Sequence, residues 1–370
     1  MKIALVNEAC GVMQNLRDGL RALGHEVLGV STQSDPNHRR YADYELGFPA
    51  GGLFGKAARC ITPLWRLKKL QNYDVIQFIY QASTIPSWPT RYLDLALLKK
   101  EGAKLGYYGI GCDEVSLIRA NPESGDRTPC QTCIAYDEIG KRCEKYVLSF
   151  RSRASHYAHL FDYCVSSSVD YKHCHNFFSN AAHARIPLPV NVRTLPFIPA
   201  KSKGLTKIVH APTSKGFKGT HTILSALEIV REKRQDFEFQ IVQGLPHAEY
   251  IKILSECDVY IDQVNSHGVG MAALENLAMG KIVLSGNSDQ YREWMPFANQ
   301  SPIIHAPNSP EDLAITILKV LDQKTEFKQL SVKGRNYVDV YHDYIVVASQ
   351  FLAHWGTPVK NIMSMESSIK

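Results

Sequence analysis

Residues 258–286, DVYIDQVNSHGVGMAALENLAMGKIVLSG, constrain the local fold more than any other stretch of this chain. Val259, Ile261 and Val264 alternate, and Ile282, Val283 and Leu284 form a short apolar run, so both flanks read as strands. Between them Gly268 and Gly270 stand just before Met271, Ala272, Ala273, Leu274 and Glu275, a run of good helix formers. A helix opened by glycine presents free backbone N–H groups and the positive end of its dipole, which suits a phosphate or diphosphate. Glu275 falls one turn into that helix, where a carboxylate can accept hydrogen bonds from vicinal sugar hydroxyls. The same pattern also describes an ordinary strand–helix–strand unit with Glu275 in solvent.

The alternation of strand and helix runs along the whole chain. Residues 2–6 read as a strand, 7–11 as a loop, 12–23 as a helix stopped by Gly24, and 26–30 as a strand. Residues 74–80 and 104–108 read as further strands around a helix at 90–101; 109–150 is loop-rich, and 163–167 is one more strand. Pro187, Pro189, Pro196 and Pro199 mark an interdomain linker. The rhythm then restarts, with strand 207–211, helix 220–234, strand 238–242, helix 247–255, and mostly helix from about 311 to 355. This predicts an α/β fold of two Rossmann-like domains, 1–190 and 200–340, each a doubly wound parallel sheet. Ligands of open α/β sheets bind beyond the carboxyl ends of the strands, so two such halves face one central cleft.

A chain of 370 residues is long enough for two domains with cores of their own, and 45% hydrophobic with 21% charged residues is a folded composition. It holds no run of about 18 apolar residues, so no spanning helix is expected. Its start, MKIALVNE, turns polar too early for a secretory signal, which makes the cytoplasm the expected location. The charge is lopsided: residues 1–200 hold 24 Lys+Arg against 18 Asp+Glu, the entire formal surplus of +6. Within that half, Lys56, Arg59, Arg66, Lys68 and Lys69 surround Leu64, Trp65, Leu67 and Leu70. A basic, Trp-bearing stretch suits peripheral contact with an anionic membrane surface; the alternative is a solvated helix whose Trp enters the core. No base-reading motif is present, so nucleic acid is not an expected partner.

A second strand–loop–helix start, KIVHAPTSKGFKGT at 207–220, places Lys215 and Lys218 in a small-residue loop. Lysines beside a helix N-terminus complement a diphosphate, although solvated loop lysines are the commoner case. The pieces HAPTSKGFKGT (210–220), VQGLPH (242–247), CDVYIDQ (257–263) and GVGMAALENLAMGKIVLSG (268–286) resemble, in order and spacing, the nucleotide-binding domain of retaining glycosyltransferases of the GT-B type, glycosyltransferase family 4. The resemblance covers roughly residues 180–350. The first half matches more loosely, through KIALVNEACG, HEV (25–27), YDVIQF (73–78) and GYYGIGCDE (106–114). A helix at 337–355 resembles the family's terminal helix, which crosses back onto the first domain; the crossover segment is placed at 341–357, ahead of a flexible tail at 358–370.

This resemblance implies site roles residue by residue. Glu275 matches the second Glu of the family's Glu-x7-Glu signature, which holds the donor ribose, while Gly270, Met271 and Ala272 match the backbone that meets the diphosphate. Lys218 matches the loop lysine, Lys215 stands where many relatives have Arg, Gly11 matches the glycine loop near the donor phosphates, and Gly244 joins the donor-binding set. Two departures accompany the match. The first signature Glu falls on His267, and the family's loop histidine falls near Ile110, with Asp113 the nearest polar candidate; Asp113 equally reads as a turn cap after Gly111. The implied reaction moves a sugar, with retention, from a nucleotide diphosphate sugar to a glycan or lipid-linked acceptor in cell-surface polysaccharide synthesis. Lys215, Lys218 and the helix start at Gly270 would stabilise the leaving diphosphate, so no catalytic cofactor is required. The alternatives are a non-catalytic nucleotide-sugar-binding relative and a nucleotide-sugar epimerase on the same fold.

Six of the nine cysteines lie between 112 and 174. Cys130, Cys133 and Cys143 have metal-like spacing, which in a cytoplasmic protein points to a structural zinc, or to a loop with incidental thiols.

Overall fold

The structure is a computed structural model that describes residues 1–32, 41–46, 65–79, 83–85, 92–111, 115, 129–136, 155–245 and 247–356. Among these, seven strands form the first sheet: β1 (Lys2–Val6), β2 (Glu26–Ser31), β3 (Tyr44–Glu45), β4 (Val75–Ile79), β5 (Lys104–Gly109), β6 (Tyr163–Ser166) and β7 (Ala182–Arg185). They pair in the order β3-β2-β1-β4-β5-β6-β7, every pair parallel. The second sheet contains β8 (Thr206–His210), β9 (Phe237–Ile241), β10 (Val259–Ile261), β11 (Ile282–Ser285) and β12 (Ile304–His305), in the order β12-β11-β10-β8-β9, again all parallel. The expected doubly wound α/β fold is therefore present twice. Three short strands were absent from the sequence reading: β3, β7 and β12 are two to four residues long, too short for a period to register.

A parallel sheet covered on both faces buries most of its central strands, and β1 and β4 show why. Ile3 and Leu5 pack on one face with Met13, Leu16, Val347 and Phe351, while Ala4 and Val6 pack on the other with Phe78, Tyr107 and Phe161. The second sheet is sandwiched likewise, with Ile208, Ile261 and Leu284 against Ile223, Leu227 and Leu313.

The segment between the sheets is pinned rather than slack. The buried Lys281 ammonium donates to the carbonyls of Ile198 and Ser255, both at 3.0 Å, and Ile198 N–H donates to the Met279 carbonyl at 2.9 Å. At the C-terminus the chain forms two helices, Phe327–Tyr341 and Tyr344–His354, where the sequence reading placed one over 337–355. The break has a local cause. Val190 N–H donates to the His342 carbonyl at 2.7 Å and Tyr344 N–H to the Val190 carbonyl at 3.0 Å, so the linker takes backbone groups a continuous helix would use. Asp343 then caps the new helix by accepting from Ile345 N–H at 2.9 Å. That helix crosses back onto Val12–Ala22 so closely that a Cβ on Gly19 would lie 2.3 Å from the Tyr344 carbonyl oxygen. Among the described residues, no helix is long and apolar enough to cross a membrane.

Candidate active site

Strands β8, β10 and β11 deliver their carboxyl ends to one edge of the second sheet, where the chemistry collects. Asp262 follows β10 directly; its side chain is 1% exposed and Ser285, the last residue of β11, donates its hydroxyl to Oδ2 at 2.9 Å. Lys218 ends the one-turn helix Lys215–Lys218, and its ammonium donates to Asp262 Oδ1 at 2.7 Å and Gln263 Oε1 at 3.2 Å. This helix occupies what the sequence suggested was loop. Ser214 caps it by accepting from Phe217 N–H, and Gly219 ends it at φ 74°. No other residue fits at 219, because a Cβ there would lie 2.3 Å from Val264 Cγ2.

The Met271–Ala278 helix opens at Gly270, which offers no side-chain cap, and its first turn holds no acidic residue. A Cβ on Gly270 would stand 3.4 Å from both Lys218 Nζ and Asp262 Oδ2, so the ammonium lies at the mouth of this helix. A cation beside a positive dipole end is an uncomfortable arrangement that one buried carboxylate offsets only in part. A bound anion would relieve it. Glu275 sits one turn along, partly open to solvent, and its carboxylate has no hydrogen-bond partner among the described residues. The surrounding protein pushes its pKa from 4.5 up to about 7 by withholding water from the charge.

The first domain contributes the opposite wall. The loop after β1 turns through positive φ at Asn7, Cys10 and Gly11 (71°, 50° and 85°), and Gly11 leads into the Val12–Ala22 helix. Glu8, 5% exposed, holds this turn by accepting from Gln14 N–H at 2.7 Å, and burial raises its pKa. The Cys10 thiol has a raised pKa, chiefly from desolvation, and the charges it feels include Lys218, Glu275 and Asp262. The loop bearing Gly11 thus lies near the edge of the second sheet that carries Lys218, Asp262 and Glu275.

Not every expected residue joins this group. Lys215 is exposed at the start of its helix, and Gly244 lies in an exposed turn after β9 at φ 66° with open space around it. Met271 is buried and Ala272 half-buried at the helix start. His267 is 9% exposed, with Nδ1 2.9 Å from the Ser288 hydroxyl at the next helix start. Ile110 is buried, and Asp113 lies outside the described residues. Cys130 and Cys133 share the helix Pro129–Tyr136, and Cys143 lies outside the described residues. That helix borders the site, since Thr132 Oγ lies 2.6 Å from Asn265 Nδ2. Among the described residues, the group with ligand atoms within 4.8 Å of one another is instead Cys164 on β6 with Cys174 and His175 on the short helix His173–Phe177.

Three residues had no role in the sequence reading. Asp262 and Gln263 follow directly on the apolar β10 strand, a position that marks a ligand-facing loop in a parallel sheet. His210, fully buried, donates Nδ1–H to the Ile261 carbonyl at 2.7 Å, leaving Nε2 to accept from Thr220 Oγ at 2.9 Å. Burial lowers its pKa to about 4, so it is a neutral strut between β8, β10 and the helix Thr220–Lys233.

Two facing Rossmann-like domains with a C-terminal helix returned to the first define the GT-B arrangement. Sucrose-phosphate synthase from Thermosynechococcus elongatus matches with a TM-score of 0.61 over 96% of this chain and 98% of its own, at 14% identity. HepE from Anabaena, in a structure with UDP-glucose, matches with a TM-score of 0.60 over 96% and 99%, at 11% identity. A Listeria monocytogenes protein assigned as a UDP-N-acetylglucosamine 2-epimerase matches with 0.53 over 95% of each chain, at 12% identity. No protein-family model and no curated protein matches the sequence. Identities this low establish the fold alone.

Proposed function

We propose that this chain is a retaining glycosyltransferase of the family 4 type, moving a sugar from a nucleotide diphosphate sugar to a glycan or lipid-linked hydroxyl in cell-surface polysaccharide synthesis. One observation carries the reading: the Lys218 ammonium at the uncapped helix start of Gly270, one turn from a carboxylate without a partner. Lys218 and the helix N–H groups hold the diphosphate and stabilise its charge as the sugar leaves. Glu275 accepts from the ribose hydroxyls, and the Gly11 loop covers the phosphates from the other wall. A GT-B neighbour crystallised with UDP-glucose supports a nucleotide-sugar donor. The product decides between this and the epimerase reading that the Listeria neighbour keeps open. Incubation with UDP-, GDP- and ADP-sugars should give transfer or slow hydrolysis; sugar isomerisation, or binding without turnover, would replace the assignment.

Two further parts belong to this reading. Trp65 is 77% exposed with Lys68 against its ring, and Leu93 and Leu97 are exposed on the helix that packs beside Leu67–Leu70. A basic surface with an exposed Trp favours contact with an anionic membrane, where a lipid-linked acceptor would reside. Cys130 and Cys133, one turn apart, could supply two ligands of a structural zinc with Cys143. Metal analysis of the purified protein should find about one zinc per chain, the usual load of a single structural site.

A further inference from the structure

Asp170 lies outside the proposed donor site, yet among the described residues it is a heavily bonded carboxylate at the seam of the two domains. It lies in the Val169–Tyr171 turn after β6, on the first-domain side, and is 7% exposed. Three of its hydrogen bonds come from the second domain: His267 N–H to Oδ1 at 3.0 Å, Gly268 N–H to Oδ2 at 2.9 Å, and the Ser266 hydroxyl to Oδ2 at 2.8 Å. The fourth comes from the Ser168 hydroxyl at 2.7 Å. A buried carboxylate is tolerated when its lone pairs are filled in this way, and charged acceptors make the stronger bonds.

The bonding continues inward. Gly268, which donates its N–H to Asp170, accepts at its carbonyl from Gln263 Nε2 at 2.9 Å. Gln263 turns its other end, Oε1, to the Lys218 ammonium at 3.2 Å. No side chain fits at 268 or 286, because a Cβ on Gly268 would lie 2.3 Å from Ser168 Oγ and one on Gly286 would lie 2.2 Å from the Gly268 carbonyl oxygen.

We propose that Asp170 is a positioning residue, one that docks the two domains and, through Gly268 and Gln263, sets the direction of the Lys218 ammonium. The inference rests on the donor-site reading and adds to it a cause for the cation's placement. Docking and aiming become one event. While residues 266–268 sit on Asp170, the Gly268 carbonyl holds the Gln263 amide so that its oxygen faces Lys218. When they leave Asp170, the amide is released and Lys218 keeps Asp262 alone. The His267 and Gly268 N–H groups are taken up by Asp170, so a diphosphate at this helix start would draw on N–H groups other than these two.

The test uses Asp170→Asn, Gln263→Ala and their double variant in the full chain, with UDP, GDP and ADP as probes in calorimetry. Asn keeps the size of the side chain but turns an NH2 toward N–H donors. Whichever nucleotide binds the wild type should bind each single variant about tenfold to a hundredfold more weakly. The double variant should be no weaker than the weaker single one, since both break one chain of bonds. In ligand-free protein, hydrogen–deuterium exchange should quicken at 266–270 in Asp170→Asn and stay unchanged in β8 and β9. Wild-type affinity and exchange in Asp170→Asn, or losses that add in the double variant, would overturn the proposal. A wild type that binds none of the three nucleotides overturns the donor-site reading and this role with it. If Asp170→Asn loosens the whole fold, exchange will rise everywhere. Ser266→Ala, which removes one bond, then takes its place beside Gln263→Ala under the same criteria.

Discussion

Replacing Glu275 by Gln should stabilise the empty protein and weaken it as a binder, the opposition expected of a desolvated carboxylate that faces a ligand. The pKa of Glu275 rises from 4.5 to about 7 on folding. Between those values the folded chain keeps a proton that the unfolded chain releases, so stability falls as the pH rises through the window. At 1.36 kcal/mol per pH unit the full penalty above pH 7 is roughly 3 kcal/mol. Glu275 is partly open to the cleft, which brings the figure down to about 1–3 kcal/mol. Gln has the same shape and no charge, so Glu275→Gln should match the wild type near pH 4 and exceed it at pH 8. The gain corresponds to about 2–8 °C in Tm. Thermal melts of both proteins from pH 4 to 8 provide the assay, and their difference cancels every other titrating group, including His210 and His342. Nucleotide affinity should move the other way. The wild type should bind more tightly as Glu275 ionises near pH 7, and the variant should bind about tenfold to a hundredfold more weakly with no such inflection. A difference curve flat across the range, or a variant that binds as well as the wild type, would refute the placement of Glu275 in a ligand-facing pocket.

Lys218→Ala should cut turnover about 10²- to 10³-fold, as loss of one preorganised charge-stabilising group does. It also leaves Asp262 buried with Ser285 as its remaining hydrogen-bond donor in this group, so the denaturation midpoint should fall by the equivalent of about 3–5 kcal/mol. Gly19→Val should cost about 1–3 kcal/mol in chemical denaturation by forcing the C-terminal helix off Val12–Ala22. Trp65→Ala should reduce flotation with anionic vesicles and leave turnover of soluble acceptors unchanged; equal flotation of both proteins would remove the membrane contact.

Sequence reasoning reached the second domain more fully than the first. Strands β8 to β11 and the helices between them were legible because period and glycine placement agree there, as around Gly268 and Gly270. The same logic located Lys218 and Glu275. It gave Lys215 equal standing with Lys218, although only Lys218, at the end of the one-turn helix, meets Asp262. Which face of that turn points inward depends on Val264 pressing against Gly219, a contact 45 residues distant in the chain. The sequence favours Trp65 slightly as a core anchor over an exposed one, and its 77% exposure overturns that preference. His267 stands at a position that resembles a sugar-binding one, yet its partner is Ser288.

The sequence by itself therefore determined the local units: parallel strands by apolar runs, helix starts by glycine, and a cation and a carboxylate within reach of one sheet edge. Those are short-range properties, carried by neighbours along the chain. Tertiary structure alone decided the rest. Asp170 reads locally as no more than a turn residue beside Ser168, since its three other partners lie about 100 residues away in a different domain. The split of the C-terminal helix at His342 depends on Val190 competing for its backbone. Even the raised pKa of Glu275 is a property of the packed cleft, because desolvation depends on what surrounds a charge and not on what precedes it in sequence.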